Sequence, residues 1–323
     1  MIPDLRALQF SLDALTAAGK VDWLKGAWPA LSRMTEAQLE ALENQAINEA
    51  AAASSRIEGL APDTATSERY RTTLAAALAA PRTTEASLAE LHRALLGNGA
   101  DAGAYKSKSN TVEAFGADGK SLGAIFEAEK PENIARRMAE LIAWIESALI
   151  DPDTHPLAAI SVFVALFLDI HPFRTGTTRL ALILATALMA RAGYDHARYG
   201  ALARSIEAGK YSYYLALRRT VASLRTPQPD WRHWLDFFFR ALRQQAQDLE
   251  DQVAADRAVG DDLPDLSARI LAIARAEGRV TIATAAQATG ISRNTIKDHV
   301  GRLTEQGLLA LHGAGRGAWY GLR

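Results

Sequence analysis

The sequence predicts a mainly α fold: a helical core broken by one β-hairpin, followed by a small helix–turn–helix unit with a two-stranded wing. Three observations predict it. Hydrophobic residues make up 49% of the 323 residues while aromatic residues are 7%, and alanine and leucine dominate, which favours helices. Only Asn110–Phe126 alternates like a strand pair, around the turn dipeptide Asp118-Gly119. The last segment then repeats short helical stretches punctuated by glycine and ends in two strand-like runs.

Taken in order, residues 4–60 read as helices, with Glu36–Ala53 free of Gly and Pro and Pro62 closing the region. Thr84–Leu96 is a helix with Leu88, Leu91 and Leu95 on one face. Gly97–Gly103 is loop, and the hairpin follows. Helices resume at Pro131–Ile150, Pro156–Ile170, Arg179–Ala192 and Ile206–Ser223. Thr226-Pro227-Gln228-Pro229-Asp230 is a break before an amphipathic helix at Trp231–Glu250. Asp248–Asp265 is acidic and carries Gly260 and Pro264, so it reads as a linker or a frayed helix end.

The C-terminal pattern is specific. Leu266–Ala276 is a helix, Ala283–Ala288 a short one, Gly290 a turn, and Ser292 an N-cap for Arg293–Gln306. Gly307 ends that helix, and Leu308–His312 and Ala318–Leu322 are strands around a glycine-rich loop. This resembles a winged helix-turn-helix domain. From 265 to 323 there are eight Lys or Arg against four Asp or Glu, although the whole chain has a net charge of −1. A nucleic-acid surface must therefore be local. Arg293, Asn294 and Lys297 open the recognition-type helix and Arg316 tips the wing, which points to duplex DNA as a partner. Protein contact or dimerisation through the wing is the competing use.

There is no cysteine, which excludes disulfides and thiolate chemistry. The N-terminus has no signal-peptide pattern, and the apolar runs fall short of the ~20 residues that span a bilayer. The expectation is a cytoplasmic protein with no membrane partner, divided into residues 1–65, 66–225, 226–264 and 265–323.

The most informative stretch is His171-Pro172-Phe173-Arg174-Thr175-Gly176-Thr177-Thr178-Arg179, between the apolar runs Leu157–Ile170 and Leu180–Ala190. It places a histidine at one helix end and an arginine at the next helix start. A helix N-terminus suits an anion such as phosphate, and histidine is the usual base near neutral pH.

The stretch resembles the signature of the Fic (AMP-transferring) family, His-Pro-Phe-x-(Asp/Glu)-Gly-Asn-Gly-Arg-x-x-Arg. The His, Pro, Phe, first Gly and first Arg match. Thr175, Thr177, Thr178 and Leu182 replace the acid, the Asn, the second Gly and the last Arg. The resemblance implies a Fic-like helical core with the hairpin as its flap, ATP as substrate and His171 as the base that activates a protein hydroxyl. Gly176, Thr177, Thr178 and Arg179 would bind nucleotide. The magnesium position falls to Thr175, a neutral and weak ligand. Ser54-Ser55-Arg56-Ile57-Glu58-Gly59 resembles the family's inhibitory motif, which assigns Ser54, Glu58 and Gly59 to an N-terminal self-inhibited subclass. With leucine at 182, Glu58 needs another cation, and Arg179 is the nearest candidate.

Two functions fit. One is weak or altered AMP transfer to protein hydroxyls (or the reverse deAMPylation), coupled to DNA binding in a homodimer. The other is a catalytically inactive, Fic-like regulator of transcription.

Overall fold

The computed structural model describes residues 2–99, 101–262, 265–313 and 315–322, with only the backbone described for 256–262 and 316. Among these residues the chain forms thirteen α-helices and four strands. Packing divides it into two compact units, residues 1–28 with 47–247, and residues 29–46 with 248–323.

The first unit is built around α6 (Pro156–Ile170) and α7 (Thr177–Arg191). Leu157–Ile170 is buried throughout, and so is Thr177–Met189. A helix that is apolar on all sides must be wrapped on all sides. The wrapping comes from α5 (Pro131–Ala148) against α6 and α3 (Thr64–Ala79) against α7. In turn, α4 (Glu85–Leu96) packs on α3, burying Leu88, Leu91 and Leu95 as their spacing predicts. Helix α3 is absent from the sequence reading. Its capping box on Asp63 and Thr66 starts it directly after Pro62, the residue that closes the N-terminal helices.

The N-terminal region forms α1 (Leu12–Leu31) and α2 (Glu36–Ile57), within the helical span expected for residues 4–60. The stretch Ile206–Ser223 is two helices, α8 (Leu202–Ala208) and α9 (Lys210–Ser223), with Gly209 between them. The next helix, α10, continues from Arg232 to Asp262, so the acidic stretch is helical up to Asp262. Its first turns enter the core of the first unit, where Trp234 Nε1 donates to the Ser161 carbonyl at 2.8 Å.

The hairpin is β1 (Thr111–Phe115) paired antiparallel with β2 (Ser121–Glu127). Gly119 turns it with a φ of 76°, as the Asp118-Gly119 signal predicts. Two register shifts, at Val112/Glu113 and Ala114/Phe115, bend it.

In the second unit, α11 (Asp265–Glu277), α12 (Ile282–Thr289) and α13 (Arg293–Glu305) enclose a core that includes Ile270, Ala285, Ile296, Val300 and Leu303. Gly290 turns the chain in the left-handed region and Ser292 caps α13 by accepting from the Thr295 amide. The wing pairs β3 (Leu309–His312) with β4 (Trp319–Leu322), and Val280 adds a bridge to Tyr320. Mainly α with one hairpin in the core and a winged unit at the C-terminus is thus the observed architecture.

Candidate functional site

Helix α6 ends on His171, the one non-glycine residue with positive φ, at 48°, among the described residues. Its amide still donates to the Phe167 carbonyl at 2.9 Å, so the helix closes on a left-handed cap. A non-glycine in this region is strained, and such strain collects at functional positions. The residue keeps some exposure, but its Nδ1 is fully buried with no hydrogen-bond partner among the described residues. Burial, together with the nearby Lys106 ammonium, pushes the imidazole down to about 3. The Leu168 carbonyl opposes this without making an aligned bond to Nδ1. His171 is therefore neutral at ordinary pH.

Pro172 and Phe173 then fold the chain back. Phe173 is buried and stacks on His92 at 3.7 Å between ring centres. His92 Nδ1 accepts from the Gly103 amide, which leaves the proton on Nε2 to donate to the Thr175 carbonyl at 2.9 Å. His92 thus shapes the turn. Lys106 pins it as well, its amide donating to the Pro172 carbonyl at 2.9 Å.

Gly176 caps α7 with a φ of 77°. A Cβ there would lie 3.2 Å from Leu96 Cδ2 and 3.5 Å from His92 Nε2. The first free amides of α7 converge on Glu58. Its Oε1 accepts from the Thr178 amide at 2.9 Å and the Arg179 amide at 3.2 Å, and its Oε2 accepts from Arg179 Nε at 2.8 Å. The pair is shielded, with side-chain exposures of 8% for Arg179 and 14% for Glu58, so solvent screens it little. Leu182, one turn along, is buried and apolar. Arg179 is the cation that Glu58 meets.

The other expected site residues divide. Thr177 is buried and its hydroxyl donates to the Phe173 carbonyl at 3.0 Å, so it braces the turn. Thr178 is buried, with its hydroxyl near Tyr213. Ser54 is buried and its hydroxyl donates to the Ala50 carbonyl at 2.7 Å, inside its own helix. Gly59 turns at a φ of 74°, and a Cβ on it would strike the Phe115 ring of the hairpin. Thr175 is exposed.

The donor set decides what could bind here. Two helix-start amides and a guanidinium fit an anion such as a phosphate oxygen. They do not fit magnesium, which takes carboxylates. Thr175 offers only a hydroxyl, and Glu58 is committed to donors. Among the described residues no three His, Asp or Glu converge on a metal-sized site.

Sequence reasoning passed over an ionic group beside the turn, buried at Asp169 and Lys106 and half-buried at Arg137 and Glu129. Arg137 bridges Glu129 at 2.6 Å and Asp169 at 2.9 Å. Burial lowers Lys106 to about 8, and its ammonium donates to Asn110 Oδ1 at 2.6 Å. Asp169 lies two residues before His171 inside an apolar run, a detectable signal because a buried carboxylate needs a partner.

On the second unit, Arg293, Asn294 and Lys297 are exposed on the first turns of α13, while Ile296 and Val300 face the core. The three stand on the outward face of the helix. The side chain of Arg316 lies outside the described residues, and its backbone belongs to the short turn Gly315–Gly317 of the wing. No helix among the described residues is long and apolar enough to cross a membrane.

Residues 82–189 match the Fic/DOC family, and residues 264–310 match the winged helix-turn-helix DNA-binding family. No curated protein matches the chain. Among solved structures, a Fic family protein from Desulfovibrio desulfuricans is similar over 98% of this chain and 97% of that one, with 18% identity and a TM-score of 0.61. A Fic domain containing signaling protein from Bacteroides thetaiotaomicron is similar over 80% of this chain and 97% of that one, with 18% identity and a TM-score of 0.52. At such identities the likeness concerns the fold. This chain carries a Fic/DOC family domain followed by a C-terminal winged helix-turn-helix domain.

Proposed function

We propose that this is a self-inhibited, Fic-type nucleotide-binding protein with weak or altered AMP transfer to protein hydroxyls, coupled to DNA binding. The observation that carries the reading is Glu58. Its carboxylate occupies the amides and guanidinium that a nucleotide phosphate would need, next to a neutral histidine. An anion site filled by the protein's own carboxylate is an inhibited site.

With Glu58 displaced, the Thr178 and Arg179 amides and the Arg179 guanidinium would hold phosphate oxygens of ATP. His171 then takes the proton of a target hydroxyl as its oxygen bonds the α-phosphorus. The bond to pyrophosphate breaks, and AMP stays on the target. A lone imidazole near 3 is a feeble base, but phosphate charge close by favours its protonated form and raises its basicity. The exposed Thr175 hydroxyl and the apolar Leu182 supply neither a carboxylate for magnesium nor a second phosphate cation, which is why transfer is weak or altered. Magnesium, if it binds, is held through phosphate and water.

The test is labelled ATP incubated with the wild type and with Glu58→Ala. Label on protein that rises in Glu58→Ala and vanishes in Glu58→Ala/His171→Ala supports transfer through His171. Label that survives loss of His171 sinks this mechanism.

A second reading keeps the nucleotide site as a sensor without transfer and places the output in transcription. It is favoured by the exposed Arg293, Asn294 and Lys297 on α13. A homodimer would present two such helices to two half-sites one helical turn apart. ATP binding without label, together with a nucleotide-dependent change in DNA affinity, would select it.

A further inference from the structure

We infer that Lys210 and Tyr214 are positioning residues that tie Glu58 to the hairpin, so that release of Glu58 from α7 and loosening of the hairpin are one event. The inference rests on the reading of Glu58 given above.

The last turn of a helix leaves carbonyls without helical partners. In α2 two of these are Arg56 and Ile57, the residues just before Glu58. Lys210 Nζ donates to the Arg56 carbonyl at 2.9 Å and to the Gly116 carbonyl at 3.1 Å. Tyr214 Oη donates to the Ile57 carbonyl at 2.9 Å and accepts from the Phe115 amide at 3.2 Å. Lys210 and Tyr214 are four apart on α9 and share a face. Each holds the end of α2 with one contact and the end of β1 with another. Both side chains are buried, so none of the four bonds is exchanged for water at no cost.

A third contact joins the same two elements. The Phe115 ring lies on Gly59, the residue after Glu58, where no side chain fits. The residues on both sides of Glu58 are thus fixed to β1 and to the turn after it. The carboxylate leaves the Thr178 and Arg179 amides only if this clip turns with it or yields. Coupling of this kind is reciprocal: whatever loosens the hairpin also weakens the hold of Glu58 on α7.

The experiment is amide hydrogen exchange on the full chain, read over 111–127. The variants are Glu58→Ala, Lys210→Met/Tyr214→Phe, and the triple substitution. ATP affinity is measured on each by calorimetry. Exchange over 111–127 should rise about fivefold or more in Glu58→Ala and in the clip variant. The triple variant should exchange no faster than the clip variant. Hairpin exchange unchanged by Glu58→Ala, or additive in the triple variant, overturns the tie. ATP affinity unchanged in Glu58→Ala while hairpin exchange rises overturns the reading of Glu58 as the phosphate-site block, and leaves the tie standing. Should the double substitution not fold, Tyr214→Phe alone keeps the ring and loses both hairpin and α2 bonds, and the same comparisons apply to it.

Discussion

Glu58 closes a three-point grip on the start of α7, and the decisive point is Arg179: Glu58 Oε2 accepts from its Nε at 2.8 Å while Oε1 takes two backbone amides. The pair spans 121 residues of sequence and is nearly dry. The helix dipole and the guanidinium both favour negative charge at this point. One carboxylate supplies it inside the chain, and under the proposed function a phosphate would supply it from outside.

Removing that carboxylate should therefore have an anion-dependent cost. In anion-free buffer Glu58→Ala leaves the buried Arg179 guanidinium unpaired, a loss of up to about 3–5 kcal/mol. Added phosphate or ATP should restore much of it. Thermal unfolding with and without phosphate checks this. The variant should gain more in Tm from phosphate than the wild type does, and equal gains would deny that the two anions compete.

Gly176→Ala should damage the same site from the backbone side. The residue sits at a φ of 77°, where an L side chain costs about 1–2 kcal/mol. The new Cβ also presses on Leu96. The Thr178 and Arg179 amides shift with the turn. In a Glu58→Ala background, ATP affinity measured by calorimetry should fall when Gly176→Ala is added. An unchanged affinity would mean that the amides do not define the site.

Thr175→Asp tests the metal argument. With only an exposed hydroxyl at this place, nucleotide affinity in Glu58→Ala should respond little to EDTA. The aspartate should make it magnesium-dependent. ATP binding abolished by EDTA before the substitution would contradict this.

Much of this was legible in the sequence, and what was not follows a physical rule. The His171–Arg179 turn stood out because polar residues interrupted two fully apolar runs, and both runs are buried helices. The α12–α13 turn was legible because Gly290 and Ser292 are local signals of local geometry. Glu58 and its cation Arg179 were legible from the two motifs, because leucine at 182 left Arg179 as the nearest candidate, but the Thr178 and Arg179 amides that share the carboxylate follow only from the fold. Lys210 and Tyr214 carry no pattern at all, since their role is to reach carbonyls on two other elements. Helix α3 was missed because its helical start is set by a capping box that the flanking Pro62 and Thr-rich composition disguise. Likewise α10 outran its amphipathic stretch, because acidic residues alone do not end a helix.

His171 should leave a signature in acid. Its pKa is held near 3 in the folded chain against 6.5 for a free histidine. Between these values the unfolded chain binds the proton and the folded chain does not. The contribution of this group is thus fully present above pH 6.5 and is lost as pH falls toward 3, at no more than about 1.4 kcal/mol per pH unit. His196, buried and lowered to about 4, adds a loss of the same sign. His171→Asn keeps a side chain that tolerates positive φ and should flatten the slope. Urea midpoints at a series of pH values measure it. Parallel curves for wild type and variant would mean the folded histidine titrates normally.

The winged domain should bind duplex DNA through two separable kinds of contact. Residues 265–323 carry four more basic than acidic groups in a chain whose net charge is −1. Affinity should accordingly be modest and steeply salt-dependent, because phosphate neutralisation releases counterions. Arg293, Asn294 and Lys297 are exposed at the start of α13, the part of such a helix that meets base edges. Losing Arg293 or Lys297 should relax sequence preference, by about 1–3 kcal/mol for a bidentate contact. Arg316, on the wing, should act on phosphates. Arg316→Ala should weaken all sequences alike and reduce the salt slope by roughly one. Anisotropy titrations with the gene's own upstream region, at several salt concentrations, separate the two effects. If Arg316→Ala instead changed sequence preference while Arg293→Ala shifted only the salt slope, the wing would be the reader and α13 the clamp. If no duplex bound at low salt, α13 would be a surface for protein partners.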